Sequence, residues 1–167
     1  MLVRELMTSP VATCRDDAQL NEAARIMWEC DCGSVPVVDA DGRLRGIVTD
    51  RDICMAAYTQ GRAPQEIPVA SVMAEHVLVC HVDDSLETAE QLMREGQVRR
   101  IPVIDNDGRP AGIVSVNDVS RAAAEQRRSN LDREVVETFA AVGEPRMASQ
   151  GIRPSGQPQR QPSHVRA

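Results

Sequence analysis

The chain contains no lysine: all 19 of its basic residues are arginine. That excludes a Schiff-base lysine and a Walker-type phosphate loop, because both chemistries need the ammonium group itself. Aromatic residues are almost as scarce, with one Trp, one Tyr and one Phe in 167 residues. Nucleic-acid modules that stack bases on rings are therefore not expected, and any core must be built from Val, Ile, Leu, Met and Ala. No apolar run approaches the roughly 18 residues of a membrane span, and no basic-then-apolar leader opens the chain, so a cytoplasmic location and no membrane partner are expected. Cysteines number five, at 14, 30, 32, 54 and 80, with no C-x-x-C pair. An odd count without a secretion signal points to reduced thiols. Cys30 and Cys32 lack the further N or S ligands that zinc needs, so no metal is expected.

What is present is dominated by repetition. Residues 7–53 align with 73–119 without a gap at a spacing of 66, and 18 of the 47 pairs are identical. Met7 returns as Met73, Met27 as Met93, Pro36 as Pro102, Gly46 as Gly112 and Asp52 as Asp118. A fixed period of this kind describes an architecture, in which two short units share a core and a cleft at one has a counterpart at the other. The net charge of -6 is uneven: residues 143–167 carry four Arg and one Glu, or +3, which leaves -9 for residues 1–142. An acidic body is a poor general binder of phosphate backbones, so no nucleic-acid partner is expected.

Each repeat reads as β-α-β-β-α. A short strand is expected at Val11–Cys14 and again at Val77–Cys80. Acidic pairs, Asp16 with Asp17 and Asp83 with Asp84, are placed to cap a helix whose apolar face carries Leu20, Ala23, Ala24 and Met27, or Leu86, Ala89, Leu92 and Met93. The β-branched runs Ser34–Val38 and Arg100–Ile104 predict strands, Asp39–Gly42 and Asp105–Gly108 predict turns, and Gly46–Val48 and Gly112–Val114 predict return strands. Helices follow from Asp50 and from Val116, the second continuing without a break to about Ala141. The resulting domains are 1–60, a linker at 61–68, 69–122, a C-terminal helix at 123–142 and a disordered, Arg-bearing tail at 143–167.

The chemically loaded element is Gly46-Ile-Val-Thr-Asp-Arg-Asp52, repeated as Gly112-Ile-Val-Ser-Val-Asn-Asp118. A hydroxyl residue three before an acid at a helix start is also a capping box, in which Thr49 and Asp52 satisfy each other's backbone. A lone capping box does not predict two occurrences in one register within a matching frame. Helix N-termini suit phosphate, and an acceptor-only carboxylate beside one suits the paired hydroxyls of a ribose.

In these features the chain resembles the cystathionine-β-synthase (CBS) domains, which occur as tandem pairs called Bateman modules. The resemblance covers about residues 1–122. It implies an α/β (α+β) fold, two β-α-β-β-α units packed about a pseudo-twofold axis with two clefts, and regulation by adenosyl ligands such as ATP, ADP, AMP or S-adenosylmethionine. It gives ribose to Asp52 and Asp118, with Thr49 and Ser115 near ribose or phosphate. One cleft would combine Ser115 and Asp118 with Val11, Thr13, Ser34, Val35 and Pro36. The other would combine Thr49 and Asp52 with Val77, Val79, Arg100, Ile101 and Pro102.

The halves differ where it matters: Ser34 becomes Arg100 with Arg99 beside it, and Arg51 becomes Asn117. Arg51, Arg99 and Arg100 would give the cleft with Asp52 a preference for ATP or ADP, since Arg pairs phosphate oxygens bidentately. The expectation is a non-enzymatic, stand-alone ligand sensor that signals by conformational or dimer rearrangement, with a homodimer and a protein partner. No cofactor is required, because the adenosyl ligand is regulatory. Two alternatives remain: an interaction protein with vestigial clefts, and a thiol redox switch through Cys30 and Cys32.

Overall fold

The computed structural model describes residues 1–126 and 129–143. The first half runs β1 (Cys14–Arg15), α1 (Leu20–Glu29), β2 (Ser34–Val38), β3 (Leu44–Thr49) and α2 (Asp50–Gln60). The second runs β4 (Cys80–His81), α3 (Leu86–Gly96), β5 (Arg100–Ile104), β6 (Pro110–Ser115) and α4 (Val116–Gln126), followed by α5 (Ser129–Gly143). Each half builds a three-stranded sheet, β1-β2-β3 or β4-β5-β6, in which the first strand is parallel to its neighbour and the last two form an antiparallel hairpin. Registers repeat as the sequence does: Ser34 lies opposite Thr49, and Arg100 opposite Ser115.

The hairpin turns are held by their first residue. Asp39 Oδ1 accepts from the backbone N–H of Asp41 and Arg43, each at 2.9 Å, and Asp105 does the same for Asp107 and Arg109. Those N–H groups, Arg43's foremost, hold the Asp39 carboxyl below its ordinary range. Gly42 and Gly108 close the turns at φ of 79° and 77°, which disfavours any residue with a Cβ.

The two halves cannot be separated, because each leader is built into the other half. Val3 precedes the first repeat yet is buried in the second core beside Met93 and Ile101, while Ile67 and Val69 precede the second repeat and are buried in the first core beside Leu20 and Met27. Thr8 then bridges to Ile113 on β6, and Ala74 to Ile47 on β3. This exchange explains two of the repeated residues at once. A Cβ at Gly46 would lie 2.8 Å from the Ala74 carbonyl oxygen and 2.8 Å from Met73 Sδ, and one at Gly112 would lie 2.9 Å from the Thr8 oxygen and 2.6 Å from Met7 Sδ. The recurring Met and the recurring Gly are two sides of one contact, made once in each direction between the halves.

Three local expectations need correction. The first strands begin only at Cys14 and Cys80, so Val11–Thr13 and Val77–Val79 are not in them. Residues 8 and 74 are committed to the opposite half, and the chain spends the intervening residues crossing back. The helix caps are also elsewhere: α1 starts after Gln19 and α3 after Ser85, whose hydroxyl accepts from the Thr88 N–H at 3.2 Å. Asp17 instead pairs with Arg15, and Asp84 accepts from the His81 N–H. Finally, α4 and α5 do not form one straight rod. α5 lies back against α3 and α4, with Thr138 and Val142 buried on its inner face. Residues 127 and 128 lie outside the described residues, as does nearly all of the expected tail, from 144 onward.

Candidate ligand-binding site

Both copies of the motif fold into the same strand-to-helix junction. Thr49 is the N-cap of α2, its hydroxyl accepting from the Asp52 N–H at 3.2 Å, while Asp52 Oδ2 accepts from the Thr49 N–H at 3.0 Å and its hydroxyl at 2.7 Å. Ser115 and Asp118 reproduce this at 3.2, 2.9 and 2.6 Å. Capping is therefore real, and it uses the same oxygen, Oδ2, in both halves.

The remaining oxygen separates them. Asp52 Oδ1 has no hydrogen-bond partner among the described residues, and its residue is half-buried. Asp118 Oδ1 is taken by the Arg121 guanidinium, and the Asp118 side chain is only 9% exposed. The first carboxylate is open to a hydroxyl donor, whereas the second must share or release a cation first.

Arg99 and Arg100 stand at the start of β5. The ladder fixes Arg100 beside Ser115, so its backbone belongs to the second half's motif. Its guanidinium reaches the first half: a Cβ at Gly33 would lie 3.4 Å from both terminal nitrogens of Arg100 and 3.1 Å from Asp50 Oδ2. Neither Arg99 nor Arg100 has an ion-pair partner among the described residues. Both line a cavity of about 490 Å³, together with Ser115 and Asn117 at the start of α4 and Asp50 from the first half. Phe139 and Val142 of α5 join Val116 in the lining. Arg51 is exposed on α2 and is not in the lining, nor are Thr49, Asp52, Asp118, Val11–Thr13, Ser34–Pro36, Val77–Val79, Ile101 or Pro102. Of the three arginines expected around Asp52, Arg99 and Arg100 share this cavity with Asp50 of the first half, and Arg51 lies outside its lining.

Ser34, Val35 and Pro36 are buried in β2, as are Ile101 and Pro102 in β5. Ser34 Oγ is fully buried with no hydrogen-bond partner among the described residues. A buried hydroxyl left unpaired costs free energy, and a bound group or water at this point would relieve it. Phe139 and α5 escape the sequence reading, since the site expected from the motif lies wholly within residues 11–118. The thiols divide cleanly: Cys14 and Cys80 are buried, and burial pushes Cys80 up to about 11, while Cys30 and Cys54 are exposed and Cys32 half-buried. Among the described residues no three His, Cys, Asp or Glu side chains gather as metal ligands, and no helix is long and apolar enough to cross a membrane.

Paired β-α-β-β-α units that exchange leaders and carry a polar cavity at a helix start define a tandem-repeat α+β module. The chain belongs to the CBS domain family, whose sequence model matches residues 3–58 and 69–125. It is similar to the CBS domain-containing protein YhcV of Bacillus subtilis, 39% identical over 118 residues, which are 71% of this chain and 82% of the relative. Among solved structures it is similar to the CBS domain pair of protein MJ0100 in complex with 5'-methylthioadenosine and S-adenosyl-L-methionine, with a TM-score of 0.69 and 27% identity over 75% of this chain and 98% of that one. It is also similar to CBSX2 in complex with AMP, with a TM-score of 0.66 and 27% identity over 76% and 98%.

Proposed function

We propose that this chain is a regulatory module that binds an adenine nucleotide between its halves and passes the binding event to a partner through rearrangement. The observation that carries this reading is the pair of unpaired guanidiniums, Arg99 and Arg100, facing a cavity of nucleotide size. Arginines without a carboxylate partner at a helix start form an anion site, and phosphates are the anions that nucleotides bring. Outside that cavity's lining, the orphaned Ser34 hydroxyl and the open oxygen of Asp52 offer a donor and an acceptor of the kind a nucleoside pairs with. The adenosyl ligands held by the MJ0100 pair and by CBSX2 support the same ligand class.

In this reading Arg99 and Arg100 take the phosphates with Ser115 beside them, and Asp52 and Asp118, outside this cavity's lining, are the ribose acceptors of two separate clefts, with Thr49 holding Asp52 in place. Asp52 is the readier of the two. The reading is regulatory and not catalytic, because the turn and cap carboxylates are already committed to backbone N–H groups. Thermal unfolding with ATP, ADP, AMP and S-adenosylmethionine tests it. At 100 times its dissociation constant a ligand adds about 2.7 kcal/mol of stability, and ATP is expected to raise the melting temperature most. No shift with any of the four would refute the nucleotide reading.

A second observation favours self-association. Trp28 of α1 and Tyr58 of α2 are 88% and 81% exposed, with Met55 at 46%. In the second half Arg94, the counterpart of Trp28, is covered, donating to Thr138 of α5 at 3.0 Å. The first half's helix layer therefore lacks the cover that the second has, and a second copy of the chain would supply it as a homodimer.

A further inference from the structure

The family match ends at residue 125, so α5 lies outside it. Its last turn is nevertheless one wall of the cavity that contains Arg99 and Arg100. We propose that Phe139 on α5 is a base-stacking residue: a nucleotide whose phosphates rest on Arg99 and Arg100 lays its adenine on the Phe139 ring, and so bridges the second half and α5. This rests on the nucleotide reading above and adds to it the place of the base and the element that responds.

Three observations carry the inference. The cavity lining divides in chemistry between Asp50, Arg99, Arg100, Ser115 and Asn117, which are polar, and Val116, Phe139 and Val142, which are apolar. A ligand with a charged end and a flat, weakly polar end matches that division. Second, Phe139 is the only aromatic residue in the lining and the only Phe in the chain, whereas the cleft residues expected at Val11–Thr13 and Val77–Val79 are not in this lining. Third, the docking of α5 does not rest on the ring alone. Arg94 binds Thr138, and Val142 is buried in the second core, while Phe139 remains 46% exposed. A half-exposed aromatic residue on a cavity wall has surface available to stack.

A regulatory consequence follows. The cavity exists with α5 already seated, so ligand entry adds contacts to α5 without displacing it. Ligand and docked helix then stabilise each other by reciprocal coupling.

The test uses the full chain and two probes, ATP and inorganic tripolyphosphate, titrated calorimetrically into wild type, Phe139→Ala and Phe139→Tyr. Stacking on an aromatic ring predicts that Phe139→Ala weakens ATP roughly tenfold while tripolyphosphate stays within about twofold, and that Phe139→Tyr restores ATP. Hydrogen exchange at residues 135–143 should slow with ATP and much less with tripolyphosphate. ATP affinity unchanged in Phe139→Ala would overturn the inference while leaving the nucleotide reading intact. Equal loss of both probes would also overturn it, since the ring would then be structural. Failure of wild type to bind either probe would remove the nucleotide reading itself.

Discussion

The first half of this molecule and the second are built on one frame and diverge at the points where a ligand or a partner would touch them. The frame is the set of contacts each half makes twice: Asp39 and Asp105 in the turns, Thr49 with Asp52 and Ser115 with Asp118 at the helix starts, and Met73 on Gly46 mirrored by Met7 on Gly112. The divergences are Gly33 and Ser34 against Arg99 and Arg100, an open Asp52 against an Arg121-bound Asp118, and a bare Trp28 against an Arg94 covered by α5. Identity between the halves marks what holds the fold, and difference marks what gives each half its own chemistry.

The largest expected effect breaks the frame. Ile67 belongs by sequence to the linker before the second repeat and by packing to the first core, where it is fully buried. Ile67→Ala should cost about 2–5 kcal/mol in chemical denaturation, as a fully buried large-to-small change does. If leaders were only tethers, the loss would stay below about 0.5 kcal/mol, as for a surface site.

A smaller effect sharpens the contrast between the helix layers. Replacing Trp28 and Tyr58 by the residues at the corresponding positions of the second half, Trp28→Arg with Tyr58→Ala, should weaken self-association by at least about tenfold in sedimentation equilibrium. Because both side chains are more than four-fifths exposed, monomer stability should barely change. An unchanged dissociation constant would show that this face is not the contact between copies.

The repeat makes most of the fold legible in the amino-acid sequence. Element order, the hairpin turns and both capping boxes follow from periodicity, from Asp-x-Asp-Gly and from hydroxyl-x-x-Asp, because each of these is a local rule. The misplaced details are those that depend on where distant residues go. The strands at Val11 and Val77 are shortened because Thr8 and Ala74 pair with the opposite half, which no window of local sequence contains. The fold-back of α5 depends on Thr138 and Val142 meeting the second half. At the site, aligning the two repeats singles out Arg99 and Arg100 as the asymmetry. The family resemblance groups them with Arg51 and Asp52; the hairpin register sets the Arg100 backbone opposite Ser115, and its guanidinium extends to Gly33 and Asp50 of the first half. Phe139 carries a signal of its own: it is the lone Phe, on an amphipathic stretch beyond the repeat, and only its place on the cavity wall gives it meaning.

The central claim is that the second half's arginines make the two halves unequal in what they bind. Its most direct test is calorimetry of ATP and AMP against wild type, Arg51→Gln and the double variant Arg99→Gln with Arg100→Gln. Wild type and Arg51→Gln should bind ATP more tightly than AMP, and the double variant should lose at least about tenfold in ATP affinity and with it the preference. An ATP preference that survives in the double variant, or that disappears in Arg51→Gln instead, would contradict the account.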